Sequence, residues 1–204
     1  MSEWQHLTNQ FCAIRIHLAA VAVASDLDID DDAIRRGIEN CPPIPGRFER
    51  IDQGQPFQVF VDYAHTPDAL EKVLQTARHL HPRRLLALFG CGGERDRAKR
   101  PAMAHIAEQI ADFCWITSDN PRSEDPMQIL AEIEAGFKAR PVRHQVEPDR
   151  QTAIREVLRH AGPGDAVVIA GKGHETYQVL ADRTIHFDDR QEARLALSEL
   201  GFDS

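Results

Sequence analysis

Phe113-Cys114-Trp115-Ile116-Thr117-Ser118-Asp119-Asn120-Pro121-Arg122 runs an apolar stretch directly into a polar loop. Large uncharged side chains in unbroken series suit a strand covered on both faces. Pro121 holds its own φ and biases Asn120 toward an extended conformation, so Arg122 is presented from a stiff loop. In open α/β sheets, ligands sit outside the carboxyl ends of such strands. The same residues also suit an ordinary strand-to-helix turn with Asp119 or Ser123 as a cap, so the surrounding chain has to decide.

On both sides of this stretch, strands alternate with helices. Strands are expected at Phe57–Val61, Leu85–Phe89, Phe113–Thr117, Val142–Val146 and Ala166–Ala170, with an edge strand at Thr184–Phe187. Between and after them, helical stretches run from Pro67 to about Leu80, Pro101 to Ile110, Pro126 to Ala139, Arg150 to His160 and Asp188 to Leu200. This alternation predicts an α/β fold with a doubly wound, mostly parallel sheet.

Residues 1–45 have a different character. Phe11–Ser25 is apolar around most of a helix circumference and is expected to be buried against a partner surface. A second helix, Asp31–Asn40, opens on carboxylates at the favourable end of its dipole and turns Ile34 and Ile38 inward. Cys41-Pro42-Pro43-Ile44-Pro45-Gly46 then breaks regular structure as a stiff linker, which sets a domain boundary at about residue 45.

Composition excludes several classes. A net charge of −8 and a pI near 5.7 argue against a nucleic-acid footprint, so any anion site must be local. The four cysteines form no C-x-x-C pair, which leaves neither a zinc knuckle nor a disulfide framework indicated and makes reduced thiols the default. No apolar run reaches the ~18 to 20 residues of a membrane span and no signal pattern opens the chain, so a cytoplasmic location is expected.

Four loops at predicted strand ends carry the chemistry: Asp62-Tyr63-Ala64-His65-Thr66-Pro67, Gly90-Cys91-Gly92-Gly93-Glu94-Arg95-Asp96-Arg97, Ser118–Arg122, and Gly171-Lys172-Gly173-His174-Glu175. A parallel sheet brings them to one rim. Singly they are weak, since a lone His65 or His174 serves as readily as a cap or a surface residue. The glycines of the second loop allow close backbone approach to a ligand. Gly171-Lys172-Gly173 lacks the G-x-x-x-x-G-K-[ST] spacing of a phosphate loop. Cys91 has no base beside it in sequence, which argues against a nucleophile.

Taken together, PGRFE (Pro45 to Glu49), DYAHTPDALE (Asp62 to Glu71), FGCGGERDRAKRP (Phe89 to Pro101), DNPR (Asp119 to Arg122) and AGKGHETYQ (Ala170 to Gln178) resemble, in order and spacing, the Mur ligase family, and within it the branch that adds diaminopimelate. The resemblance implies a Rossmann-like C-terminal domain at 46–204, preceded by the helical end of a central ATPase domain. It also implies a part in peptidoglycan synthesis: an ATP-driven amide synthesis through an acyl phosphate, joining meso-diaminopimelate to UDP-MurNAc-L-Ala-D-Glu. ATP and Mg2+ would then be bound mainly by domains outside this stretch, as would the UDP-sugar, and the chain by itself is expected to be inactive.

By the same resemblance, Arg47 lies near the ATP phosphates, and Asp62 and His65 meet the ribose and base. Diaminopimelate has two amino-acid ends, so a selective site must pair the carboxylate and ammonium of the end that does not react. Arg122 offers a bidentate fork to that carboxylate and Glu175 a counter-charge to the ammonium. Asp119 and Asn120 complete the polar shell, Arg95 takes the other carboxylate, and Gly171 leaves room for the backbone to approach. Lysine has no such second carboxylate, so diaminopimelate is expected over lysine as the amine substrate. No metal ligand is assigned.

One departure is local: Phe11 is followed by Cys12, Ala13, Ile14 and Arg15 where the family usually shows asparagines. This argues against a nucleotide contact from that helix, and the first 45 residues are expected either to pack differently without their parent sheet or to form a dimer contact through the exposed apolar helix. Two competing expectations stand beside the ligase: a non-catalytic amino-acid-binding or partner-assisting module derived from a Mur ligase, and a ligase of cyanophycin or folyl-polyglutamate type, against which the DNPR and GKGHE words speak.

Overall fold

The computed structural model describes residues 19–42, 44–138 and 143–203. Its centre is a six-stranded sheet built from β1 (Glu49–Ile51), β2 (Gln58–Asp62), β3 (Leu85–Phe89), β4 (Phe113–Ile116), β5 (His144–Val146) and β6 (Ala166–Ala170), in the spatial order β1-β2-β6-β3-β4-β5. All neighbours pair in parallel except β1, which runs antiparallel along the outer edge of β2. The expected doubly wound architecture is therefore present, with one short antiparallel edge that the sequence did not announce.

Strand alternation divides the core in two. Phe60, Ala87, Phe89, Cys114, Ile116 and Val168 face α2 (Pro67–Arg78), α3 (Lys99–Ile110) and α4 (Pro126–Glu134). Val59, Val61, Leu86, Leu88, Trp115, Val167 and Ile169 face α5 (Arg150–His160) and α6 (Asp189–Glu199). Both faces of β3 and β6 are covered, which is why these strands read as unbroken apolar runs.

Local chemistry sets the helix ends. Thr66 caps α2 by accepting from Ala69 N, with Pro67 in the first turn. α4 ends at Glu134, short of the residue 139 expected, and just beyond it Gly136 packs on the start of α3, where a Cβ would lie 2.1 Å from Pro101 O.

The edge strand expected at Thr184–Phe187 is not part of the main sheet. β8 (Thr184–His186) pairs antiparallel with β7 (Tyr177–Val179) in a separate hairpin, since β1 and β5 already occupy both edges. Alternating residues fit either arrangement, so periodicity could not distinguish them.

A second correction concerns the N-terminal helices. The part of the Phe11–Ser25 run at 11–18, with Phe11 to Arg15, lies outside the described residues. Residues 19–26 are helical but exposed or half-buried, and α1 (Asp31–Glu39) buries none of its residues, although Ile34 and Ile38 are half-buried. Val23, Leu27 and Ile29 are exposed, because among the described residues no sheet or helix surface covers them.

Candidate functional site

The chain leaves β6 toward the face that holds α6, whereas it leaves β2, β3 and β4 toward the face of α2, α3 and α4. Flanking connections that diverge in this way open a crevice at the carboxyl ends of the strands. The four loops singled out in the sequence meet there.

Lys172 sits at the centre of the crevice with no exposed surface. Its Nζ donates to Asn120 Oδ1 at 2.9 Å and lies 3.4 Å from both Asp119 Oδ1 and Glu175 Oε2. Asn120 in turn donates from Nδ2 to Glu175 Oε2 at 3.0 Å, and its Oδ1 also accepts from Val179 N at 3.0 Å. Donors on one side and a carboxylate on the other fix the amide's orientation. The Glu175 carboxylate, expected from the sequence to face a ligand ammonium, is also shared with a buried lysine.

The hairpin completes the support. Gln178 donates to Asp119 O at 2.7 Å, and Arg122 N donates to Val179 O at 3.0 Å. Arg122 adopts φ 53, a left-handed backbone that costs a non-glycine residue about 1–2 kcal/mol and is held here by these contacts. Its stiffness thus comes from the hairpin as well as from Pro121. Arg122 Nη1 donates to Gly93 O at 2.7 Å. Nε and Nη2 make no hydrogen bond among the described residues.

Gly92 shows how the arginines are grouped: a Cβ there would lie 2.9 Å from Arg122 Nη1 and 3.8 Å from Arg95 Cγ. Arg95 is exposed beside Arg122 and, among the described residues, donates only to Glu94 O. The neighbouring glycines do not open the loop to a ligand, as expected from sequence. A Cβ on Gly90 would meet Thr117 O at 2.1 Å and one on Gly93 would meet Pro121 O at 1.9 Å, so both serve loop-on-loop packing. Arg100 of α3, fully buried, donates to Gly92 O and pairs with Glu124, just before α4, and with Glu132 within it. The two arginines Arg97 and Arg100 hold the Glu132 carboxyl well below its ordinary range, at about 2.

On the other side of the crevice, Tyr63 gathers the remaining candidates. Arg47 lies over its ring at 4.8 Å, and the rings of His65 and His174 lie 4.6 and 4.9 Å from it. The Tyr63 hydroxyl reaches Glu175 Oε1 at 3.5 Å and so joins the two halves of the rim. Asp62 is buried, with Oδ2 accepting from Phe48 N at 2.7 Å and Oδ1 from Ala64 N at 2.8 Å. Burial pushes its pKa up against these hydrogen bonds. Its carboxylate braces the segments that bear Arg47 and His65.

Gly171 is set by its backbone, φ 122, while a Cβ would make only ordinary contacts of 3.7 Å to Asp119 and 3.8 Å to Arg150. Arg150 lies beneath the rim, fully buried, donating to Asp189 through Nε and Nη2 at 2.7 Å each and to Ala170 O at 3.0 Å. Cys91 is buried against Met103 with its thiol pushed up to about 12 by desolvation, which removes it as a nucleophile.

Residues 46–173 match the family described as Mur ligase, glutamate ligase domain. The chain belongs to the Mur ligase family. Among Mur ligases it is 54% identical over 185 residues to the UDP-N-acetylmuramoyl-L-alanyl-D-glutamate–2,6-diaminopimelate ligase of Solibacter usitatus, covering 91% of this chain and 37% of that protein. The enzyme of the same name from Geobacillus kaustophilus is 50% identical, over 90% of this chain and 37% of its own length. The chain thus spans little more than a third of the curated relatives it matches. A solved structure of that name superposes with a TM-score of 0.73 at 42% identity, covering 90% of this chain and 38% of the other. The UDP-N-acetylmuramate-alanine ligase of Thermotoga maritima shares the fold at 18% identity, with a TM-score of 0.66 over 94% of this chain and 38% of its own.

Within this Mur ligase chain, the residues that sequence analysis passed over are Lys172, Tyr63, Gln178 and Arg150. Lys172, Tyr63 and Gln178 stood inside the quoted words, and Lys172 carried a signal: a lysine between two glycines directly after an apolar strand. Among the described residues, no group of three or more His, Cys, Asp or Glu is placed to hold a metal ion, and no helix is long and apolar enough to cross a membrane.

Proposed function

We propose that this chain is the amino-acid-recruiting, C-terminal portion of an ATP-dependent ligase that joins meso-diaminopimelate to UDP-MurNAc-L-Ala-D-Glu in peptidoglycan synthesis. The observation that carries this reading is the pairing of Arg95 and Arg122 with the Asp119–Asn120–Glu175 cluster in one crevice, which suits a ligand end that bears both a carboxylate and an ammonium. The D-Glu carboxylate of the UDP-linked substrate would take a phosphoryl group from ATP, and the amine at the reacting end of diaminopimelate would attack the acyl phosphate, forming the amide and releasing phosphate. Arg122 and Glu175 orient the end that does not react.

The Tyr63 side of the rim suits the nucleotide. Arg47, exposed above the ring, is available to phosphate charge, and the imidazole of His65 offers a flat face to the base. Asp62 acts through Phe48 and Ala64, which already use its oxygens. ATP and Mg2+ are assigned mainly to segments outside this chain, so catalysis is assigned to the longer protein, at work in the cytoplasm. Residues 1–45 are assigned to the helical end of the central domain and 46–204 to the C-terminal domain. The unburied α1 and the family match that begins at residue 46 support that division.

The test is Arg122→Ala in the native protein that carries this chain. Loss of a desolvated ion pair costs about 2–5 kcal/mol, so kcat/KM for diaminopimelate should fall roughly 30-fold or more, with little change for lysine. Unchanged discrimination between the two amino acids would refute the assignment. Calorimetric titration of the chain with meso-diaminopimelate separates this reading from a non-catalytic binding module when combined with the turnover assay.

A further inference from the structure

The charges around Lys172 do not cancel. One buried ammonium faces two carboxylates, Asp119 and Glu175. The buried guanidinium of Arg150 also acts on Asp119 and Glu175 through space, but its hydrogen-bonded partner is Asp189. The three acceptors of Lys172 come from two loops, the one after β4 and the one after β6, and all three are amino-acid contacts in the reading above. A lysine is expensive to bury unless paired. Its place in the floor of the crevice, and not among the exposed lysines, therefore requires an account.

We infer that Lys172 is a positioning residue: its ammonium locks Asp119, Asn120 and Glu175 into one cluster that keeps a single unbalanced negative charge for the ammonium of an amino-acid ligand. Lys172 does not touch the ligand in this account. It keeps Glu175 from swinging out to solvent, and it holds Asn120 Oδ1 so that Nδ2 faces Glu175. This inference rests on the diaminopimelate reading of the same crevice.

The experiment is a charge-balance cycle in the native protein: Lys172→Met, Asp119→Asn and the double variant, with KM measured for diaminopimelate, ATP and the UDP-linked acceptor. Each single change should raise the diaminopimelate KM by about 10-fold or more and leave the ATP KM within about twofold, since each disturbs only the ammonium subsite. The double variant restores one unbalanced charge and should bind better than either single. An unchanged or lowered KM in Lys172→Met, an equal rise in all three KM values, or additive losses in the double variant would each overturn the inference. Should Lys172→Met fail to fold, Lys172→Gln takes its place in the cycle and is read by the same criteria. If the unaltered protein shows no turnover that depends on diaminopimelate, the functional reading fails instead. The positioning role is then judged by hydrogen exchange of the Val179 amide, which donates to Asn120 Oδ1. It should quicken about 10-fold in Lys172→Met, and unchanged exchange would count against the role.

Discussion

Arg150 opens α5, yet its guanidinium lies in the sheet's shadow, joined to Asp189 of α6 and to the carbonyls of Ser118 and Ala170 at the ends of β4 and β6. Both partners of the ion pair are fully buried. Breaking such a pair leaves an unmatched charge and costs about 3–5 kcal/mol, whereas replacing both partners by apolar side chains is close to neutral. Arg150→Ala should therefore lower the unfolding free energy by about that amount, and Arg150→Met with Asp189→Leu should recover most of it, as measured by denaturant titration. At this scale the sequence showed which residues bear charge but not which charges are buried. Arg122 and Glu175 could be singled out because their chemistry suits a zwitterion. Arg150 and Lys172 were not, because their burial depends on contacts with residues 20 to 53 positions away.

Among the elements, the long strands and the helices that follow them were legible to within a few residues, since burial on both faces or on one stripe leaves a periodic mark. β1, at three residues, is too short to leave one, and β7 and β8 share a period with any edge strand. The turn after β6 depends on a contact equally hidden in sequence. A Cβ on Gly173 would come within 2.6 Å of both Gly46 O and Tyr63 Cβ, and one on Gly46 within 2.1 Å of Gly173 C. Two glycines far apart in the chain lie against each other. Gly173→Ala should thus cost more than the about 1–2 kcal/mol of a left-handed alanine. Gly54→Ala supplies the comparison, because Gly54 also has positive φ but nothing within 4 Å of its Cβ position. Equal losses in chemical denaturation would show that the contact contributes nothing.

For the whole molecule, the stable unit is the sheet with its five helices and the hairpin, beginning near Ile44. Residues 19–42 add no buried side chain to it. A chain that starts at Ile44 should accordingly unfold with a midpoint within a few degrees of the longer one. A large drop in the thermal scan would mean that the N-terminal helices do pack on the sheet. The site lies at the rim because one strand, β6, enters between β2 and β3 from the far end of the sequence. The alternation of elements pointed to that rim, but only the strand order brings the fourth loop between the first and second.

The contact between Gly46 and Gly173 has a thermodynamic consequence. The linker that leads into the domain rests on the turn that carries Lys172 and Glu175, with no side chain between them. Any occupant that shifts this turn must shift the linker's equilibrium by the same free energy with which the linker's position shifts the occupant's affinity. Occupancy of the crevice and the position of the chain that enters at residue 46 are, to that extent, one equilibrium measured from two ends.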